Sequence, residues 1–439
     1  MDERGERDGA PSGVRYQVMF LAAASSFVLY LDRYCLGDLL KFESVKKELR
    51  LDDDLVSYSF SAFFLSYALL QVPSGWLADR FGPRWLMTIY IVGWSMCAAA
   101  TGLVGGFLSL FLVRVGLGVF QAGAYPTSGN IASRWMPLAD RGTASAVIGL
   151  GGRLGAAAAM ISTTELVQWS WRATMLAYGV IGCVIGVAFC LVARDRPQQH
   201  PRVNAGELAL IEYGRPKGAG REEVPPSSMY LMGRLLSSGT MWAMCLSQIG
   251  TNIGWVFLVT WLPTYLVRER GVSDALGAQM NALALFIGVF GMLLGGRLTD
   301  LASRRLGLRL GRALPLVLSR LVAAGACLAV PYLDSPWLAI GAFCLVSFAT
   351  DVGVPGTWAY MQDVGGSYVA AVLGWGNMWG NLGAAVAPVL VRKLSGTGQP
   401  IDWNLALMLC AGAFVVSGIA ACFIDASRPI VGTNDTCVV

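Results

Sequence analysis

Repeated long apolar runs constrain this chain more than any other feature. Twelve of them are read, near 16–38, 56–78, 86–104, 106–132, 142–164, 173–193, 237–267, 276–298, 312–332, 337–361, 368–392 and 402–424. A run of about 20 residues is long enough, as a helix, to cross the hydrocarbon of a bilayer. Inside hydrocarbon the backbone must satisfy its own polar groups, so helices are expected. Composition agrees: 55% of residues are hydrophobic, 14% are charged and mean hydropathy is +0.55. The fold class expected is therefore an all-α polytopic membrane protein of twelve transmembrane helices.

The same counts exclude several functions. The formal charge of +5 is carried by loops, where basic residues set membrane topology, so no nucleic acid partner is implied. Ten cysteines are scattered, mostly inside apolar runs, with no metal-ligand spacing. The one histidine, His200, lies in a polar stretch, so neither zinc nor Ser-His-Asp chemistry is supported. GLGGRLG overlaps a loose dinucleotide pattern but follows no strand. No metal and no cofactor are expected, and the chain is not read as an enzyme.

One long polar linker divides the runs six and six. The organisation expected is an N-terminal tail (1–15), a first six-helix bundle (16–193), a linker (194–236), a second bundle (237–424) and a C-terminal tail (425–439). Arg194, Arg196, Arg202, Arg215, Lys217 and Arg221 lie in the linker. Arg304, Arg305, Arg309 and Arg312 lie between spans eight and nine. Both sets fall on the side of the termini, which the positive-inside rule makes cytoplasmic. The loop KFESVKKELRLDDD runs against this, with Lys41, Lys46, Lys47 and Arg50 outside. The charged start lacks a cleaved signal pattern, so the first span is expected to act as an uncleaved anchor. The terminal CVV is one residue short of a prenylation box, and the Asn434–Thr436 glycosylation triplet falls on the expected cytoplasmic tail.

The halves carry a repeat. GWLADRFGPR, with Gly75, Asp79, Arg80 and Arg84, joins spans two and three. GRLTDLASRR, with Gly296, Asp300 and Arg304, joins spans eight and nine. In each, glycine allows close helix approach and an acid four residues later can meet a helix end or a basic partner.

Charged residues inside the spans point to function, because they are expensive there. Asp32 and Arg33 interrupt span one. The planar fork of Arg33 can grip a carboxylate bidentately, and Asp32 can take a proton. An anion that neutralises Arg33 makes that protonation easier, which is a route to coupling. Arg114 and Gln121 lie on nearly one face of span four, roughly 10 Å apart along the axis. Asp351 sits mid-way along span ten, the repeat partner of span four, and Arg153 in span five is a candidate partner for it. For those two a structural pair and a proton-coupling role stay equally open. Glu165 is placed near the outer end of span five, with a solvated or gating role.

The paired loops resemble the signature of the major facilitator superfamily, two six-helix bundles related by an axis along the membrane normal. More narrowly, LDRYCLG, RVGLGVFQAGAYP, TWLPTYLVRERGVS and GWGNMWGNLGAAVAP resemble the anion:cation symporters, which carry sugar acids, phthalate, sialic acid and glutamate. The resemblance implies a protonation site at Asp32 and substrate binding at Arg33 and Arg114. It also exposes a departure: where these symporters usually carry a protonatable glutamate, this chain has Gln121. Protons can then travel on Asp32 alone, or on a substitute acid such as Asp351, or coupling can be absent. In the second half, Asn377 and Asn381 share a face of span eleven and can bind polyol hydroxyls or neighbouring helices. Thr357, Trp358 and Tyr360 follow Pro355-Gly356, where an irregular backbone exposed to a cavity is expected. Trp261 and Tyr265 suit an outer gate or an interfacial belt.

The function expected is secondary transport of a small organic anion with protons, or another coupling cation, across the plasma membrane (the inner membrane in a bacterium). The chain is expected to be monomeric and multi-pass in the lipid bilayer. The alternatives are an uncoupled facilitator or exchanger, and a receptor that kept the carrier fold.

Overall fold

The computed structural model describes residues 10–40, 42–213, 228–394 and 402–430. Arg215, Lys217, Arg221, Lys41, the glycosylation triplet and the terminal CVV lie outside these residues.

Apolar sequence becomes helix wherever the spans were read. In order these are α1 (Val14–Leu39), α2 (Asp53–Phe81), α3 (Pro83–Thr101), α4 (Phe107–Ala122), α5 (Ala124–Trp135), α6 (Arg141–Val192), α7 (Gly239–Thr260), α8 (Leu262–Arg268), α9 (Asp274–Ala329), α10 (Pro336–Val364), α11 (Val369–Leu394) and α12 (Trp403–Ala421). Among the described residues, nine stretches are long and apolar enough to cross a membrane. These labels do not map one to one onto spans. α4 and α5 meet at Gly123, whose φ of −83° and ψ of −9° stay near helical, and 107–135 counts as one stretch. α6 instead breaks at Ser170, which is extended. α9 breaks at Gly307, whose φ of +77° an L side chain rarely adopts. One sequence boundary differs as well. Span seven, read to 267, ends at Thr260, and α8 restarts with Pro263 in its first turn. The irregular stretch expected at Pro355-Gly356 is absent, because α10 runs through Pro355 without a break.

Within the first half α1 and α3 pack on α6, and α2 packs on α4; within the second, α10 and α12 pack on α9, and α7 packs on α11. Glycine sets how closely two of these pairs approach. A Cβ on Gly151 or Gly155 of α6 would lie 2.1 or 2.0 Å from a backbone oxygen of α1. One on Gly291 or Gly295 of α9 would lie 2.2 Å from a backbone oxygen of α10. Both pairs are spaced small-xxx-small, the pattern that lets helices touch in a membrane. The halves meet through α2 on α11 and α6 on α9.

The described first part of the linker, 194–213, folds back onto the first half. Asn204 caps the Ala205–Glu212 helix, and its buried Glu207 accepts from the backbone N–H of Val14 and Arg15 at 3.1 and 3.0 Å. Burial pushes that carboxyl up, but the Ser12 hydroxyl, these two N–H groups and the Arg15 guanidinium outweigh it and hold it below its usual range. The start of α1 is thereby capped by a residue far away in sequence.

Candidate functional site

The two repeated motifs, read as joining loops, are helical in the structure, with the chain leaving helix only at Gly82 and Gly307, and the acid of each reaches the opposite half. Asp79 accepts from the N–H of Ala370 and Ala371 at 3.0 and 2.9 Å, at the start of α11, and from Asn130. Asp300 accepts from the N–H of Gly142 and Thr143, both at 2.8 Å, at the start of α6. Each carboxylate thus meets a helix N-terminus of the other half, where unsatisfied donors and the helix dipole favour negative charge. The Thr143 hydroxyl adds a bond at 2.6 Å to Asp300. Around this latch Asp363 of α10 pairs with Arg141 at 2.7 Å and with Arg312 at 2.8 Å, and Arg304 pairs with Asp140. Arg84 holds the carbonyl of Cys190, while Arg80 lies over Trp76 and Phe81 of its own helix.

Gly75 leaves no room for a side chain, since a Cβ there would sit 2.4 Å from the carbonyl oxygen of Ala370. Gly75→Leu is therefore expected to pry this end open. Spin labels placed on the two halves at that end should move apart, and an unchanged distance would show that the contact does not hold the halves together.

The middle of the first half holds two arginines around one phenyl ring. The Arg33 guanidinium lies 5.2 Å from the ring centre of Phe63, and that of Arg114 lies 4.6 Å from it. Arg33 also sits over Tyr67 and Tyr30, at 4.6 and 5.0 Å. Its Nε donates to Gln121 Oε1 at 3.0 Å. The Gln121 amide in turn donates to the Leu29 carbonyl at 3.1 Å, so both ends of Gln121 are used. Arg114 is 2% exposed, and its buried Nε has no hydrogen-bond partner. No ion pair to Arg33 or Arg114 is present among the described residues. Aromatic faces offset part of the cost of such cations, but they supply no counter-charge.

Asp32 does not supply it either. It is 2% exposed and both its carboxyl oxygens lack a partner. Adjacent helix positions point about 100° apart, so Asp32 and Arg33 face different surroundings. The Cys35 thiol donates to the Asp32 backbone carbonyl at 3.3 Å and leaves the carboxyl untouched. The first half thus holds a buried acid, a buried guanidinium and a half-buried one with no ion pair among the described residues.

A third locus spans the halves. Arg153 of α6 donates to both carboxylate oxygens of Asp351 on α10, at 2.7 and 2.9 Å. Arg153 also lies over the Trp255 ring at 5.1 Å. Arg320 of α9, 1% exposed, donates to the Thr350 carbonyl at 2.9 Å. Removing one member of a buried pair leaves an uncompensated charge and costs about 3–5 kcal/mol, whereas removing both costs far less. Arg153→Gln is accordingly expected to lower Tm by more than the double variant Arg153→Gln/Asp351→Asn does. Thermal unfolding in one detergent checks this, and additive losses would show that the pair is not coupled.

Residues 22–388 match the family description "Major Facilitator Superfamily". The chain belongs to the major facilitator superfamily. It is therefore a transporter rather than an enzyme, and a multi-pass membrane protein. Among curated relatives of this facilitator is a probable galactarate/D-glucarate transporter of Bacillus subtilis, 28% identical over 430 residues, covering 94% of this chain and 91% of the relative. Another probable galactarate/D-glucarate transporter, from Escherichia coli K12, is 30% identical over 427 residues, covering 93% and 94%. A probable sulfoacetate transporter of Cupriavidus necator is 28% identical over 421 residues, covering 94% of each.

The remaining sequence-predicted residues of this facilitator divide. Asn377 of α11 reaches across the halves, donating to Gln71 at 2.6 Å and to Tyr67 at 3.3 Å. Since Tyr67 also faces Arg33, Asn377 belongs to the same neighbourhood. Asn381 donates back to the Asn377 carbonyl at 2.7 Å, which keeps it on that helix face. The Trp358 ring packs on Tyr125 at 4.7 Å, and Tyr125 pairs with Ser26 of α1. Thr357 is spent on the Gly353 carbonyl of its own helix, and Tyr360 bonds Thr240. Tyr265 lies apart from the arginines. Its hydroxyl accepts from Arg270 at 2.7 Å and its ring packs with Phe343 and Trp403, so it is not brought together with Arg33 and Arg114. Glu165 is exposed. Sequence reasoning missed Arg320, Arg141 and Asp363. Arg320 carried the same signal as Arg114, a lone arginine in an apolar run. Charges at span ends, such as Arg141 and Asp363, read as solvated.

Proposed function

We propose that this facilitator is a secondary active carrier for a small organic anion, a sugar acid or related carboxylate, moved together with protons. The observation that carries the reading is the pair of guanidinium groups, Arg33 and Arg114, held around Phe63 without a carboxylate partner. An anionic solute would complete that arrangement through charge-assisted, bidentate bonds. Buried Arg114 and Arg320 and half-buried Arg33 and Arg153 stand with Asp32 and Asp351 in the central region, an excess of two positive charges among these described residues. Galactarate, D-glucarate and sulfoacetate, named for the relatives, each carry two anionic groups, which supports a dianion as the preferred cargo. Asn377, Asn381 and Trp358 would meet the uncharged part of the solute.

In this reading twelve helices cross the membrane as two bundles, 16–193 and 237–424, which rock about the central site, with 194–236 and both termini in the cytoplasm. The Asp79 and Asp300 latch closes the cytoplasmic side and must part for release inward. Asp32 carries the proton, and the protein works as a monomer. Proteoliposomes holding the purified chain should take up a sugar acid faster and to a higher level under an inward proton gradient. Uptake indifferent to that gradient would reject symport while leaving transport standing. Binding with no flux at all would favour a receptor.

The second reading, an uncoupled facilitator or exchanger, is favoured by Gln121. Its amide donates to the Leu29 carbonyl, as a protonated glutamic acid would and a carboxylate would not. The site is thus fixed in the form that a proton-loaded acid would have. Gln121→Glu is expected to make uptake steeper in pH, because the new acid can bond Leu29 only when protonated. An unchanged pH profile would show that this position takes no part in coupling.

A further inference from the structure

A cavity of about 450 Å³ opens at the loop end of the second half, away from the central site. Arg234, Arg309 and Arg428 line it, with Ser238, Thr240 and, as the one acid among the described lining residues, Asp425. Asp425 is already engaged, by the Ser427 N–H at 3.0 Å, the Ser427 hydroxyl and Arg428 at 3.3 Å. Arg428 shares Asp425 with Ser427, and the Arg234 Nε donates to the Ile430 carbonyl at 2.9 Å, so the described lining brings three guanidinium groups and one carboxylate together. A second cavity of about 540 Å³ continues from the first and shares Gly239 and Phe423 with it. Its walls are Ala243 and Leu246 of α7 and Val416, Ile419 and Ala420 of α12, all apolar. At the junction, a Cβ on Gly239 would meet nothing within 4 Å, so the passage is open. Phe423, Ile419 and Leu246 are 70%, 56% and 46% exposed, a surface suited to acyl chains. The Ser228–Ser237 helix leads into the site with Leu231 and Leu235 buried and Met229 outward, the pattern of a helix lying in the membrane interface.

We infer that the two cavities form one site for an anionic phospholipid of the cytoplasmic leaflet. The phosphate lies among Arg234, Arg309 and Arg428, and an acyl chain runs down the groove between α7 and α12. Three arginines near a membrane surface match an anionic headgroup, and the apolar continuation separates a lipid from a soluble phosphate. The lipid would tie together the start of α7, the part of α9 just after the Gly307 break and the end of α12.

The test uses the full chain and native mass spectrometry with phosphatidylglycerol and phosphatidylcholine of identical chains. Phosphatidylglycerol should be retained about tenfold better. Arg234→Gln/Arg309→Gln/Arg428→Gln should reduce it to the level of phosphatidylcholine. If that variant fails to fold, Arg309→Gln alone, at an exposed helical position, should weaken the preference in part. Ala243→Trp, which fills the groove and leaves every arginine, should also lower retention. Glycerol phosphate, the headgroup without chains, should not displace the lipid. Equal retention of the two lipids, an undiminished preference in the arginine variants, or displacement by glycerol phosphate at equal concentration would each overturn the inference.

Discussion

Arg114→Gln is expected to abolish useful uptake and to raise the melting temperature at once. Removing a buried, hydrogen-bonded charge partner from a complex costs about 2–5 kcal/mol, which is roughly 30-fold to more than 1000-fold in affinity. In the empty protein the sign reverses. Arg114 is 2% exposed with no counter-ion among the described residues, and a cation left alone in an apolar interior destabilises its surroundings. Glutamine keeps much of the volume and drops the charge. A residue kept only for packing would give the opposite signature, a fall in both stability and uptake. The two measurements, initial uptake rate against substrate concentration and thermal unfolding without substrate, separate these cases.

Asp32→Asn is expected to uncouple the carrier without silencing it. The Asp32 carboxyl has no hydrogen-bond partner in this conformation, so the amide loses no contact and the fold should hold. Exchange of labelled for unlabelled solute needs no net proton movement, and counterflow should persist. Accumulation against a gradient needs a group that releases its proton on one side only, and it should disappear. Retained accumulation would move the proton to Asp351, the other buried acid of the central region, whose two oxygens are already bonded to Arg153.

Much of this architecture could be read along the chain, because helix in a membrane follows from apolar length alone. The repeat at Gly75–Asp79 and Gly296–Asp300 was legible for a similar reason, as glycine and acid at fixed spacing serve one local geometry. Its partners were not, because the starts of α11 and α6 are remote in sequence. Arg33, Arg114 and Asp32 stood out by their charge in apolar surroundings. The ring of Phe63 between the two arginines did not, since a phenylalanine in an apolar run carries no signal. The packing of Tyr265 was illegible for a related reason: an aromatic near a span end suits a gate, a belt or a core equally. Pro355 misled because neighbouring helices can carry a proline-containing helix without a break.

The most direct test of the account is flux through the unmodified protein with paired solutes. Purified chain in liposomes, under an inward proton gradient, is offered a labelled sugar diacid and the neutral polyol of the same length. The account predicts that the diacid accumulates inside above its outside concentration and the polyol does not. Equal entry of the two, or accumulation of neither while other neutral solutes pass, would contradict a site built on unneutralised arginines.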